Sequence, residues 1–396
     1  MSEPCLLLVA VEPSGDQLGA ALVSALRQRL KGQVRFVGVG GAALRAEGLV
    51  SAFDPAPMAV VGAFNALAAW PVVRAKARDV AALAAREQPD AAILIDAWGF
   101  NIRVAQRLRE ADPMLPLIKY VAPQVWATRP GRARTLARRV DRLLTIHSFD
   151  APYFERAGLP TVFVGNPALM RDVSGADPAV FRGRYGIGPD ETVLLVLPGS
   201  RLGEVRRLMA QFGDAAQRLC TTRPNLRVLI AAAPSVAAEV KSRAAAWSIS
   251  PLLLESEADR HAAMRAASAA LACSGTVTTE LALAGCPMVV GYRLDPLTYL
   301  VARLLLKTRF ITLLNVAAGR FVAPERLQGA CRGDILADDL APLLDDPAHR
   351  EAQREAQTAA LAIMRGGVAD PVAAAADAVL AFLADRRAQP RDSSGT

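Results

Sequence analysis

Short, nearly uninterrupted apolar runs recur along the chain, and after each the apolar residues space out to every third or fourth position. In the first half the runs fall at residues 5–11, 34–39, 90–96, 117–121, 143–146 and 161–164. The second half carries them at 192–197, 227–232, 269–273 and 287–292. Runs of this length bounded by turn residues predict buried strands, and the spaced segments predict helices. Leu18, Ala21, Leu22, Ala25 and Leu26 make one such helical face, and Val277, Leu281, Leu283 and Ala284 help form another. Strand and helix in regular alternation predict an α/β protein with doubly wound parallel sheets.

The polar stretch 171–190 separates two such series. The expected organisation is therefore a Rossmann-like domain over 1–170, a linker over 171–190 and a second Rossmann-like domain over 191–360, the two facing across a cleft. Alanine-rich helices over 361–388 and a disordered tail over 389–396 follow.

In such sheets, ligands collect where strands end and helices begin. The run at 269–273 stops at Ser274-Gly275-Thr276 and a helix starts at once. Gly275 lets the backbone approach a ligand closely, while Ser274 and Thr276 can cap the helix and leave N–H groups for an anion. Glu280, one turn on, can accept hydrogen bonds from a ribose diol. Pro198-Gly199-Ser200-Arg201 ends another run and offers amides plus a guanidinium suited to a diphosphate. An ordinary crossover with a polar turn shares this pattern.

In the first half, Glu12-Pro13-Ser14-Gly15-Asp16 breaks the chain after the opening run, and Asp96 closes the run at 90–96 on the same side. Gly15 and Gly19 do not make a G-x-G-x-x-G, which excludes the dinucleotide fingerprint.

Composition narrows the class. With 396 residues, 52% of them hydrophobic, the chain has material for two cores. Five scattered cysteines read as reduced core residues, and three histidines exclude a histidine-rich metal centre. No basic leader opens the sequence, and no uncharged apolar run nears the about 18 residues that span a bilayer. The expectation is a soluble or peripheral protein. A formal charge of +8 implies an anionic partner. Aromatic residues at 5% leave little for base stacking, which argues against nucleic acid.

Two stretches suit a lipid surface. Residues 58–70 carry no charge and are followed by Arg74, Lys76 and Arg78, a pattern shared by a buried helix and a membrane or acyl-chain contact. Arg129, Arg132, Arg134, Arg138, Arg139 and Arg142 form a basic run broken only by Asp141. Helical spacing puts Arg134 with Arg138 and Arg132 with Arg139, which fits a solvated face or an anionic contact.

Together these residues resemble a known family. Glu12-x-Ser-Gly-Asp-x-Leu-Gly, Phe36-Val-Gly-Val-Gly-Gly, Tyr120-Val-Ala-Pro-Gln-Val-Trp, Leu197-Pro-Gly-Ser-Arg-x-x-Glu-Val, Ser274-Gly-Thr-x-x-x-Glu, Cys286-Pro-Met-Val-Val-Gly-Tyr and Asn315-x-x-Ala-Gly occur in order. This series is similar to that of the lipid A disaccharide synthase family. The resemblance implies the GT-B architecture and transfer of 2,3-diacylglucosamine from its UDP derivative to the 6-hydroxyl of 2,3-diacylglucosamine 1-phosphate. It also implies inversion at the anomeric carbon, no metal or other cofactor, and a peripheral place on the cytoplasmic face of the inner membrane. A homodimer is among the assemblies it allows.

For an inverting transfer, Asp96 is the expected base, with Glu12 as its competitor. Ser14, Asp16 and Trp126 are expected to hold the acceptor. Gly199, Ser200, Arg201, Ser274, Gly275 and Thr276 are expected on the diphosphate, Glu280 on the ribose, and Asn315 near the diphosphate or sugar. Val11, Trp98-Gly99, Thr128 and Asn166 depart from the family pattern, mostly in the acceptor-facing half. A related enzyme using another acceptor, a UDP-sugar epimerase and a non-catalytic nucleotide-sugar or lipid binder are the alternatives.

Overall fold

The structure, a computed structural model, describes residues 3–59, 70–173, 175, 177–254, 256–295, 298–300 and 308–388. Most of the uncharged segment 58–70 and the tail 389–396 lie outside the described residues.

Two sheets of six parallel strands carry the chain. The first contains β1 (Cys5–Val9), β2 (Arg35–Val39), β3 (Ala91–Ile95), β4 (Leu117–Tyr120), β5 (Arg142–Thr145) and β6 (Thr161–Phe163), in the order β2-β1-β3-β4-β5-β6. The second contains β7 (Thr192–Leu197), β8 (Leu226–Ala231), β9 (Leu252–Leu254), β10 (Ala269–Cys273), β11 (Met288–Tyr292) and β12 (Glu325–Leu327), in the order β12-β11-β10-β7-β8-β9. Every residue of β1, β3, β4 and β10 is buried, because helices cover both faces of a parallel sheet. Successive residues of β1 point to opposite faces: Leu7 and Val9 join one core, Leu6 and Leu8 another. This is why the strands read as unbroken apolar runs.

The pattern did not mark β9 or β12. Both are three-residue edge strands, and β12 is the half-polar sequence Glu-Arg-Leu.

The chain divides into two compact units. One runs to Pro167 and resumes at Arg365; the other is Ala168–Met364. The helix Pro371–Ala388 packs on the first sheet, with Ala375, Ala376, Val379, Phe382 and Leu383 in one core with Leu6, Leu8 and Tyr120. Arg29 pairs with Asp377 on the same helix. The final helix thus belongs to the first unit, although a linear division of the sequence sets it apart.

Both strand orders reverse direction once. In the first unit the chain moves from β1 outward to β2, then returns to place β3 on the other side of β1. In the second, β7, β8 and β9 run one way and β10, β11 and β12 the other. Loops leaving neighbouring strands in opposite directions open a crevice at their carboxyl ends. The crevices therefore lie beyond β1 and β3, and beyond β7 and β10.

Candidate active site

In the first unit the residues after β1 meet those after β3. The helix Pro13–Arg29 begins with a proline in its first turn, and Glu12 sits at its N-cap in extended conformation. Gly15 allows the close approach, since a Cβ there would stand 3.3 Å from both the Asp96 Cβ and the Ile95 carbonyl oxygen. Ser14 Oγ donates to Asp96 Oδ2 at 2.9 Å. Among the described residues, Asp96 Oδ1 accepts no hydrogen bond.

Asp96 and Ala97 are both left-handed, with φ of 49° and 42°. Side chains hold this strained turn by its carbonyls. Asn101 Nδ2 donates to Ile95 O at 2.8 Å and to Asp96 O at 3.0 Å. Lys119 Nζ, on β4, donates to Leu94 O at 3.2 Å, Asp96 O at 2.5 Å and Tyr120 O at 3.0 Å. Lys119 is 2% exposed, and burial pulls its pKa down to about 7 against the attraction of Asp96 and Glu12. Burial raises the Glu12 carboxyl, the charge of Asp96 adds to the rise, and Lys119 opposes it. The site is thus two carboxylates coupled to one buried ammonium. Sequence patterning missed Lys119, because a lysine in the middle of an apolar strand carries no motif of its own.

Two residues expected to hold the acceptor are buried. Asp16 is buried, and its carboxylate accepts from the amides of Gly41 at 2.6 Å, Ala43 at 2.8 Å and Leu44 at 3.2 Å. It caps the helix Ala42–Ala46, with both oxygens already engaged by amides. Trp126 is also buried, set edge-on to Phe149 at 5.5 Å, and Phe149 stacks on His147 at 5.3 Å. Asp150 lies in the same region at 1% exposure, with neither oxygen hydrogen-bonded. Burial pushes its pKa up to about 8, and the Trp126 indole draws it the other way without completing a hydrogen bond.

In the second unit, the loops after β7 and β10 come together. The strands pair with Ala272 opposite Leu197. Gly199 has φ +107°, and a Cβ there would stand 2.5 Å from Glu204 Oε2 and 3.3 Å from Cys273 Sγ. Glu204, 6% exposed, accepts from the amides of Ser200 and Arg201, each at 3.2 Å. The carboxylate therefore takes the two amides expected on a diphosphate, and the guanidinium of Arg201 is the outward donor of this loop. Its side chain is 81% exposed and stands 3.2 Å from Glu204 Oε1. Sequence patterning missed this role of Glu204, because the N-cap is Arg201 and not the serine or threonine of a capping box.

Thr276 opens the helix Thr276–Leu283, with Gly275 extended before it and Ser274 Oγ 3.5 Å from Ile311 O. Glu280 stands 3.2 Å from an Arg260 guanidinium nitrogen. Asn315, expected near the diphosphate or sugar, has its side chain engaged within its own unit. It is fully buried: Nδ2 donates to Ala323 O and Glu325 Oε1, and Oδ1 accepts from Val322 and Ala323. With both ends of its amide committed, Asn315 fixes the loop leading into β12 and has no donor to offer a diphosphate.

The profile of the Lipid-A-disaccharide synthetase family matches residues 6–378. The chain belongs to this family. A lipid-A-disaccharide synthase from Rhodospirillum centenum is 41% identical over 389 residues, 97% of each chain. Another from Paramagnetospirillum magneticum is 39% identical over 97% of this chain and 99% of its own. Among solved structures, the glycotransferase of kitacinnamycin superposes with a TM-score of 0.61 at 16% identity, over 96% of this chain and 99% of that one. That likeness shows the fold: two α/β units of the GT-B kind. Family membership makes the chain a glycosyltransferase of lipid A biosynthesis.

The family's departures have places in the fold. Val11 is buried after β1. At Gly99 there is open space where a Cβ would point. Trp98 packs under the guanidinium of Arg132 at 5.3 Å. Among the described residues no helix is long and apolar enough to cross a membrane.

Proposed function

We propose that the chain transfers 2,3-diacylglucosamine from its UDP derivative to the 6-hydroxyl of 2,3-diacylglucosamine 1-phosphate, with inversion and with Asp96 as general base. The supporting observation is the Asp96 turn: a carboxylate at a topological switch point, its backbone held by Lys119 and Asn101, with Ser14 on one oxygen. The oxygen that accepts no hydrogen bond takes the proton of the acceptor hydroxyl as that oxygen attacks the anomeric carbon. Glu12 bears on the same centre through its charge.

Arg201 and the amino end of the helix Thr276–Leu283 offset the charge that develops on departing UDP. Glu280 accepts from the ribose diol. Arg134 and Arg138, both exposed and without an ion pair among the described residues, suit the anionic inner leaflet.

The decisive experiment is release of UDP on mixing the protein with both acylated glucosamines. Asp96→Asn is expected to lower kcat by about 10²- to 10⁴-fold while UDP affinity stays within about twofold. Turnover by that variant at the wild-type rate removes Asp96 as base. Epimerisation of the UDP-sugar without acceptor, or UDP binding with no turnover, removes the transfer reaction itself.

A further inference from the structure

Beside the Asp96 turn, the helices Trp70–Glu87, Trp98–Ala111 and Gly131–Ala137 line a groove of about 400 Å³. Its walls include Trp70, Arg74, Trp98, Arg103, Arg107 and Arg139. Arg103 lies over the Trp70 ring at 4.0 Å. Its Nη1 reaches the Gly99 carbonyl, and its Nε is buried with no acceptor. Arg139 stands 3.5 Å from Gln106 Oε1, and Arg107 pairs with Glu110 at 2.6 Å. Among the described residues, Arg74, Arg103 and Arg139 touch no carboxylate within ion-pair distance. Burial and the charge of Arg139 both weigh against the protonated form of Arg103.

Four guanidinium groups thus crowd a partly desolvated groove with one carboxylate at its margin. Like charges gathered this way are offset by a bound anion, and the planar guanidinium fork matches phosphate oxygens. The two indoles supply apolar surface beside the charge, which suits an amphiphile and not a free inorganic ion.

We propose that this groove binds the phosphomonoester of the acylated acceptor sugar. The choice of the acceptor as the source of the phosphate rests on the transfer reaction proposed above. It is favoured by the chain itself: Trp98, on the groove wall, follows Asp96 by two residues. The basic run 129–142 also divides by side. Arg139 lines the groove, whereas Arg134 and Arg138 are exposed outside it. The first serves the acceptor, the second pair the bilayer.

The test compares Arg103→Gln/Arg139→Gln with Arg134→Gln/Arg138→Gln in the full chain. Affinity for short-chain 2,3-diacylglucosamine 1-phosphate and for its dephosphorylated form is measured by calorimetry, which needs no turnover. KM for each substrate and co-sedimentation with phosphatidylglycerol vesicles are measured beside it. The groove variant is expected to bind the sugar phosphate at least about tenfold more weakly. Its affinity for the dephosphorylated sugar, its KM for the UDP-sugar and its vesicle binding should be unchanged, and the outer variant should lose vesicle binding alone. Arg74→Gln, at an exposed position, repeats the measurement should the double variant fold poorly.

Unchanged sugar-phosphate affinity in the groove variants overturns the proposal. So does weakened vesicle binding with the sugar-phosphate affinity retained, which would make the groove a bilayer contact. If wild type binds the sugar phosphate through the groove but forms no disaccharide, the groove stands and the transfer reaction falls.

Discussion

Lys119 puts a charge where the fold offers it no water, and three backbone carbonyls take the place of solvent. Two of them belong to residues on β3 or the turn after it, so the lysine ties the left-handed Asp96 turn to β4. Val121, just after β4, is left-handed as well, with φ of 73°, so unfavourable backbone conformations gather at this crevice. Lys119→Met should loosen the turn and lower kcat by about 10- to 100-fold with little change in KM for the UDP-sugar. A methionine variant with wild-type kcat would show that the turn holds without it. Asp150 has the opposite problem: a buried carboxyl with no donor on either oxygen. Its folded pKa, about 8, is raised, so the protonated side chain contributes stability below its ordinary value of 3.8 that is lost as pH rises through about 8. His147, whose pKa burial lowers to about 4, contributes the opposite slope between about pH 4 and its ordinary 6.5, but it is present in wild type and variant alike and drops out of the difference between them. Asp150→Asn should therefore gain on wild type from pH 4 to pH 8, by up to about 1.4 kcal/mol per pH unit. Thermal melts in parallel at several pH values measure the gap, and a constant gap would mean that Asp150 ionises without cost.

At the scale of elements, the turn after β7 shows how a loop is shaped by the helix that follows it. Glu204, inside the helix Leu202–Thr222, reaches back to two loop amides, and Gly199 must stay in a region that other residues rarely adopt. Gly199→Ala would drive a methyl into that carboxylate. The expected cost is about 1–3 kcal/mol of stability with a clear loss of UDP affinity. Urea unfolding and UDP titration check this, and an alanine variant that binds UDP as wild type does would free the loop of that constraint. The apolar run at 192–197 matches β7 residue for residue, because a central parallel strand must be apolar on both faces. Helix lengths were less legible. The helix after the Pro198-Gly199-Ser200-Arg201 turn runs over Leu202–Thr222, since helices continue as long as one face stays covered.

For the whole molecule, the last helix decides which residues make a stable unit. Pro371–Ala388 covers the face of the first sheet that holds Leu6 and Leu8. Ending the chain at Asp370 uncovers that face and removes the buried side chains of Val379, Phe382 and Leu383. Their burial is worth on the order of 5 kcal/mol together, comparable to the stability of a small domain. The truncated chain is expected to unfold at a much lower urea concentration, with the first unit the first to be cleaved by protease. An unchanged midpoint would mean that the helix is dispensable.

Periodicity and turn chemistry were enough to establish two parallel α/β sheets, the strands near their centres and the two pairs of loops that meet at the switch points. Those features are local: buried strands must be apolar, and tight strand-to-helix turns need glycine and capping side chains. Which polar residues in the turns stay available was not local. Asp16 and Asn315 are polar turn residues like Ser14 and Arg201, yet the amides of Gly41, Ala43 and Leu44 engage Asp16, and Val322, Ala323 and Glu325 engage Asn315. Lys119, Asp150 and the arginine groove came into view only with the fold, because their chemistry arises from what surrounds them once water is excluded.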